Sequence, residues 1–374
     1  MSLTNFGLLT TEQLTIWQRD VWKAARNWMF LERFSGSSTT SMIQKVTELT
    51  KSEKGARAVL TLVADLEGDG VAGDRTLEGN EEAMKSYDQV IQIDQLRHAN
   101  RHEGRMADQK SVVTFRENSK DVLAYWLADR MDQLAFLTLS GIAYSEGNDG
   151  ANRVGSDLIN LDYAADVTAP STNRMVRWDG LNSVLIEPGG ANATSDVLVT
   201  DTPAYNMLVD LKAYCVDNYI RPIIGEAGDE QYNVFMAPLT IAKLKKDTAF
   251  REAWKDALPR SPNNPLFKGT KVIHLDGMNI FEYRHVYTTK NATSGVDKWG
   301  AGSNIDGTRV LVCGAQAMGY ADIGDPYWIE KGFDYDNQQG ISVGKICGLL
   351  KPQFHSIYSG TTEDFGVLAV NIAL

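Results

Sequence analysis

Residues 58–96 read AVLTLVADLEGDGVAGDRTLEGNEEAMKSYDQVIQIDQL, two strand-like runs around a glycine-rich, acidic middle. In Ala58 to Leu66, Val59, Thr61 and Val63 alternate with Leu60, Leu62 and Ala64. In Ser86 to Leu96, Ile91 and Ile93 alternate with Gln92 and Asp94. A period of two is the signature of a strand. The middle, Glu67 to Asn80, is dominated by glycines and carboxylates and is too polar to form a core. The expectation is a two-stranded arm with a mobile tip. At about 3.3 Å per residue, nine-residue strands project it by roughly 30 Å. An isolated ribbon is marginal in water, so it needs a partner surface. That requirement is the first sign of an assembly protein.

The next element outward is a helix. From Glu117 to Ser140, Leu123, Leu127, Met131, Leu134 and Thr138 recur at helical spacing, with Trp126, Arg130 and Leu137 beside them. No Gly or Pro interrupts the run, and Gly141 stops it. At about 1.5 Å per residue it spans roughly 36 Å. Gln109 to Arg116 extends it backwards only against the β-branched Val112-Val113-Thr114.

Upstream, Thr10 to Phe34 spaces Leu14, Trp17, Val21, Trp22, Ala25 and Met29 as an amphipathic helix that also carries Trp28. Ser35 to Thr40 breaks it. Downstream, Ser145 to Asn192 reads as irregular connections with short strands. Pro203 to Ile220 reads as a helix with Val209, Ala213, Val216 and Ile220 on one face. Gln231 to Met236 is a strand and Pro238 to Trp254 mostly helical. Val272–Leu275 and Ile280–Tyr283 make a hairpin around Asp276-Gly277. Arg309 to Cys313 is a buried strand, and Phe354–Ile357 and Phe365–Ile372 close the chain. Helices and strands mix without regular βαβ alternation, so the fold class is α+β.

Composition limits the function. The chain has 374 residues, enough for two or more lobes, with 43% hydrophobic and 23% charged residues. No stretch is apolar enough to span a bilayer, and Met1 to Gln18 shows no secretory signal. A formal charge of -11 disfavours anionic membranes and tight nucleic-acid binding. The densest basic run, Lys243, Lys245 and Lys246, reads as a solvated helix face. Cys215, Cys313 and Cys347 are few and far apart, which suits small buried hydrophobes better than disulfides or zinc.

Motifs that could carry chemistry are weak. Asp65, Glu67, Asp69 and Gly70 occupy positions 1, 3, 5 and 6 of a calcium loop, but Thr76 stands where a bidentate Glu is needed. His98 and His102, with Glu103, would share a helix face. With Arg97, Arg101 and Arg105 interleaved, they read better as a polar or intersubunit ion-pair surface. Gly314 to Gly319 suggests a nucleotide loop after a strand, yet Tyr320 and Ala321 stand where a phosphate loop has Lys and Ser/Thr. His274 and His285 are expected to face each other across the hairpin, and His355 lies in a strand. No carboxylate pair is set in apolar surroundings as a general acid would be. No catalytic, cofactor-binding or metal residue is assigned, and the protein reads as no enzyme.

Four runs carry a resemblance: Thr76-Leu-Glu-Gly-Asn-Glu-Glu, Val90-Ile-Gln-Ile-Asp-Gln, Met106-Ala-Asp-Gln-Lys and Leu123-Ala-Tyr-Trp-Leu-Ala-Asp-Arg-Met-Asp. With Val234-Phe-Met-Ala-Pro-Leu, Gly340-Ile-Ser-Val-Gly and Asp364-Phe-Gly-Val-Leu-Ala-Val, the chain resembles the major capsid proteins of N-four-like podoviruses and their relatives. The resemblance implies the Hong Kong 97 capsid fold. It places an N-terminal arm at 1–54, the E-loop region at 55–105 and a peripheral domain with the spine helix at 106–221. The axial domain falls at 222–334, with a return to the peripheral domain over 335–374. It implies hexamers and pentamers of an icosahedral head, made in the host bacterial cytoplasm. Portal, scaffolding and decoration proteins are the implied partners, with double-stranded DNA packaged without sequence specificity. Some relatives weld E-loops through a Lys–Asn bond. Here the tip holds Asn80 but no lysine, the nearest being Lys54 and Lys85, so a noncovalent grip is expected. Two other readings remain: an encapsulin-like compartment shell, and an enzyme using the Gly314–Gly319 turn.

Overall fold

A 13-residue strand, Gln338–Leu350, organises the first of two large sheets. Asp94–Arg101 pairs antiparallel along one edge, from Gly340↔Arg101 to Cys347↔Asp94. The other edge is shared by Tyr327–Phe333 and Met318–Asp322, which pair with its first and last parts. Ile43–Val46 and then Ser35–Gly36 continue the sheet in parallel. The computed structural model describes residues 24–25, 29–47, 55, 57–63, 66, 68–84, 86–110, 115–225, 228–257, 272–356 and 359–374. The tryptophan-bearing stretch before Ala24 lies outside these residues.

The second sheet has eight strands. Its main path runs Val272–Leu275, Met278–Glu282, Glu230–Met236, Gly307–Cys313, Val367–Ala373, Met175–Asp179, Val184–Ile186. Gly307–Cys313 and Val367–Ala373 are buried along their whole length. Alternate residues serve two cores, as expected of a strand covered on both faces. Leu311, Cys313 and Val367 meet the long helix, while Val310, Val312, Leu368 and Val370 meet Met207, Leu208 and Leu211.

The long helix, Phe115–Ser140, joins the two sheets. Leu123, Leu127, Met131, Leu134 and Thr138 are all buried, as their spacing predicts. The four apolar ones share one core with Ile341, Val343 and Leu349 of the first sheet and Phe235 and Leu311 of the second. Gly141 ends the helix at φ 66, and Ile142 N–H returns to Leu137 O at 3.0 Å, a left-handed cap that suits glycine. The last carbonyl, Ser140 O, accepts Arg309 Nη1 at 2.5 Å, placing a cation at the negative end of the helix. Arg309 is buried with neutral hydrogen-bond partners, Asn371 Oδ1 and Ser140 O, and burial lowers its pKa to about 10.

Several sequence expectations are corrected. In the helix Tyr205–Asp217 the buried face is Met207, Leu208, Leu211, Tyr214 and Cys215, whereas Val209 and Val216 are exposed. Apolar residues lie on most sides of this helix, and the larger set wins the core. The helical stretch from Pro238 breaks at Lys245 into Pro238–Leu244 and Thr248–Ala257. The strands at Met318–Asp322, Tyr327–Phe333 and Gln338–Leu350 had no counterpart in the pattern, because Gly340, Gly344 and Gly348 dilute the alternation. The hairpin at Asp276-Gly277 forms as expected, with both residues at positive φ.

Candidate assembly surfaces

The ribbon consists of Arg57–Val63 and Ser86–Gln92, seven pairs in register from Arg57↔Gln92 to Val63↔Ser86. It is shorter than the nine-residue strands expected, and it finds its partner surface within the chain. Ala58, Leu60, Leu62 and Ile91 pack on Val46, Ala321 and Leu350 of the first sheet. Burying the two leucines and the isoleucine contributes roughly 5–9 kcal/mol before entropy is counted. Two glycines make the seat. A Cβ on Gly348 would lie 2.2 Å from Gln92 O, and one on Gly319 would lie 2.9 Å from Ile91 Cδ1. The other ribbon face leaves Val59, Val63 and Val90 at 41%, 50% and 43% exposure, an apolar stripe unused by its own fold.

Beyond the seat, described tip residues 68–84 are exposed apart from the half-buried Val71. Their hydrogen bonds are local: Gly68 N–H to Glu82 at 2.6 Å, Gly79 N–H to Glu81 at 2.7 Å, and Asn80 Nδ2 to Thr76 O at 2.9 Å. Asp65 and Glu67 of the calcium-loop reading, and Lys54 and Lys85, lie outside the described residues. Among the described residues, no three His, Cys, Asp or Glu side chains are grouped to hold a metal ion. No described helix is long and apolar enough to cross a membrane.

The N-terminal segment is fastened at Phe30. Its ring stacks on Tyr283 at 4.1 Å and meets Phe34, Phe136, Phe235 and Phe281 within 6.4 Å. Asp132 of the long helix accepts Phe30 N–H at 2.8 Å, Leu31 N–H at 3.2 Å and Tyr283 OH at 2.6 Å. Burial raises the Asp132 pKa to about 6, although the three donors pull it down. A folded pKa above the unfolded 3.8 means stability present below pH 3.8 and lost as pH rises through about 6. The wild type should therefore lose about 2 kcal/mol relative to Asp132→Asn between pH 4 and pH 7. Denaturant unfolding of both proteins across that range measures it. A pH-independent difference would refute the assignment.

The remaining candidates are structural. His98 lies on the strand Asp94–Arg101, not on a helix, and stacks on Trp126 at 4.5 Å. His102 follows that strand, and its Nε2 accepts Gln339 N–H at 3.0 Å. Arg101 sits over the Phe333 ring and Arg105 Nε donates to Asp336 O, so both are used within the chain. His274 and His285 do not meet. His274 Nδ1 bonds Asn279 Oδ1 at 2.6 Å, while His285 bonds Asp129 on the long helix at 2.8 Å. Burial lowers the His285 pKa against the opposing pull of Asp129. His355 ends the strand Gln353–His355 and is exposed. The Gly314–Gly319 turn leads into a strand, and a Cβ on Gly314 would lie 2.1 Å from Arg221 O, so its glycines serve packing. Lys245 lies over the Trp254 ring, with Lys243 half-buried and Lys246 exposed. The three cysteines are buried and free, and burial pushes Cys215 up to about 12 and Cys347 to about 11. Sequence reasoning missed Asp132 and the glycine seat, because each depends on segments far apart in the chain.

Two sheets braced by one helix, with a ribbon whose tip adds nothing to its own core, define a structural subunit built for contact with other molecules. Residues 5–374 match the family model described as phage capsid protein, and the chain belongs to that family. It is 56% identical over 371 residues to a major capsid protein of Pseudomonas phage KPP25, covering 99% of this chain and 97% of that one. The capsid of Ralstonia phage GP4 superposes with a TM-score of 0.73 at 25% identity, over 92% of this chain and 91% of that one. The capsid asymmetric unit of cyanophage Pam1 gives 0.70 at 18% identity, over 99% of each. The role is thus that of a phage capsid shell subunit, and the encapsulin-like reading falls away.

Proposed function

We propose that the chain adopts the Hong Kong 97 type of capsid fold and assembles into hexamers and pentamers of an icosahedral head. The ribbon carries this reading: its base is seated in its own chain, while its tip and outer apolar stripe have no use there. The arm is 1–54, the E-loop region 55–105, the peripheral domain 106–221 and the axial domain begins at 222. The axial domain ends at 334, and the chain returns to the peripheral domain over 335–374. Copies meet at the host cytoplasmic stage of assembly with portal, scaffolding and decoration proteins, and enclose double-stranded DNA. The charge of -11 suits a lining that does not adhere to packaged DNA. Many weak contacts, summed by closed symmetry, hold such a shell without catalysis.

Replacing residues 69–78 with a short Gly-Ser link tests this. The subunit should keep its unfolding midpoint, yet closed particles should fall by roughly tenfold or more when it is co-expressed with scaffolding protein. Unaltered particles should release a 41.3 kDa chain in hot SDS, since the described tip has no lysine to cross-link. Full particle yield without the tip would overturn the proposal.

A further inference from the structure

Two arginines converge without a counter-charge. Arg130, on the long helix, and Arg153, on the loop that follows it, line a groove of about 1120 Å³. Arg130 Nη1 donates to Gln133 Oε1 at 2.8 Å, and Arg153 Nη2 donates to the same oxygen at 3.2 Å. Gln133 is neutral. Its Nε2 donates to Asp129 Oδ2 at 2.7 Å, which fixes Oε1 toward the arginines. Arg153 takes one more neutral acceptor, Glu146 O, through Nε at 2.8 Å. Among the described residues neither guanidinium forms an ion pair with a carboxylate. Burial lowers both pKa values, and for Arg153 the Arg130 charge adds to the effect.

The carboxylates around the pair are engaged elsewhere. Asp129 pairs with Arg284 and with His285. Glu146 Oε2 accepts Tyr287 OH at 2.7 Å, and Asp149 Oδ2 accepts Asn291 Nδ2 at 2.8 Å. Asp94, also on the groove, accepts the N–H groups of Gln95 and Asp162 at 2.6 and 3.0 Å. Asp129 and Asp149 still favour the charged arginines, but by less than burial disfavours them. The two cations are also held in place beforehand. The loop closes on itself through Gly147 N–H to Ala151 O at 2.8 Å and Arg153 N–H to Ser145 O at 2.7 Å. Asn148 Nδ2 ties it to Gln133 O at 3.1 Å and to His285 O at 2.6 Å. A guanidinium has five N–H donors, so each keeps some beyond those spent on Gln133 and Glu146. Two fixed, half-buried guanidiniums with donors to spare are the arrangement that grips an oxyanion.

We propose that Arg130 and Arg153 form a binding site for a small phosphate-type oxyanion. The ion takes the spare donors of both side chains and relieves the repulsion between them. It thereby fastens the loop over residues 145–153 to the long helix. Inorganic phosphate and the phosphate groups of nucleic acid share this chemistry, and the free ion is the better fit. The pair is half-buried, and Asp94 and Asp157 stand on the same groove. A duplex brings one charge per about 1.7 Å, which those carboxylates and the subunit charge of -11 repel. The inference does not depend on the shell reading.

Calorimetric titration of the full chain with inorganic phosphate, against chloride at equal ionic strength, provides the test. The unaltered chain should bind one ion saturably, with a Kd of about 1 mM or tighter. Arg153→Gln should weaken binding roughly tenfold or more, and Arg153→Lys by less, because it keeps the charge and loses the fork. Arg97→Gln, at an exposed position on the same groove, should change binding by less than about twofold. Hydrogen exchange of the unaltered chain needs no variant: phosphate should slow the amides of residues 145–153, and chloride should not. A short DNA duplex should not displace the phosphate. Absence of saturable phosphate binding would overturn the proposal, and so would Arg153→Gln binding like the unaltered chain. Equal losses at Arg97 and Arg153 would show diffuse attraction instead of a site. A duplex that binds through these arginines when phosphate alone does not would assign them to nucleic acid and likewise overturn it.

Discussion

Gly348→Ala should unseat the ribbon, whereas Gly319→Ala should leave it nearly undisturbed. The two glycines face the same ribbon from neighbouring strands of the first sheet, so composition alone would rank them equal. Their surroundings differ. An added methyl at Gly348 would lie 2.2 Å from the backbone oxygen of Gln92 and 3.1 Å from its carbonyl carbon. Backbone cannot rotate aside, so the strand Ser86–Gln92 must move and take Ile91 out of its pocket. At Gly319 the nearest atoms are Ile91 Cδ1 at 2.9 Å and Leu60 Cδ2 at 3.0 Å, the mobile ends of side chains. We expect a loss of about 3 kcal/mol at Gly348 and less than about 1 kcal/mol at Gly319. Denaturant unfolding of the isolated subunit gives the energies. Limited proteolysis at Tyr87 reports whether the ribbon has lifted. Equal losses in the two variants would mean that the seat is not a backbone contact.

The second large effect lies where residues 171–174 meet the closing segment. Lys351 and Asp364 pair at 2.8 Å with side chains 0% and 1% exposed. Asp364 also accepts Gln353 Nε2 at 3.0 Å and Ser171 N–H at 3.1 Å. A second buried pair, Arg174–Glu363 at 2.9 Å, is adjacent. Asp364→Ala leaves the Lys351 ammonium without its counter-charge and should cost about 3–5 kcal/mol at pH 7. Lys351→Met combined with Asp364→Leu should recover most of that loss, because both charges then leave the interior together. The pH dependence has a definite sign. Burial already lowers the Lys351 pKa against the pull of Asp364, and removing Asp364 lowers it further. The unfolded lysine then binds its proton more tightly than the folded one, so the deficit of Asp364→Ala should shrink as pH rises from 7 towards 10. Unfolding of the unaltered chain, Asp364→Ala and the double variant at pH 7 and 9.5 decides it. A deficit that grows with pH would exclude the buried-ammonium account.

The elements legible in the sequence were those whose pattern is local. The ribbon announced itself through the alternation of Leu60 and Leu62 with Val59 and Thr61, and the long helix through Leu123 to Thr138. Patterns failed where two faces compete or glycines interrupt. In Tyr205–Asp217, apolar residues lie on both the buried and the exposed side, so the choice of Val209 and Val216 was reversed by packing. In Gln338–Leu350, Gly348 is present because another segment presses on it, and that segment is more than 250 residues away in sequence. The ion pairs at Lys351 and Arg174 join distant segments too, and single side chains carry no mark of a partner.

The seat of the ribbon has a mechanical consequence. Seven strand residues at about 3.3 Å each make a rod of roughly 23 Å anchored near Gly319 and Gly348. A tilt of about 10° at that pivot displaces the outer end by roughly 4 Å. The glycine contacts therefore act as a fulcrum, where a shift of a fraction of an ångström becomes a reach difference large enough to follow a change in surface curvature. Leu60, Leu62 and Ile91 are buried along the rod, so any such swing has to carry that small core with it.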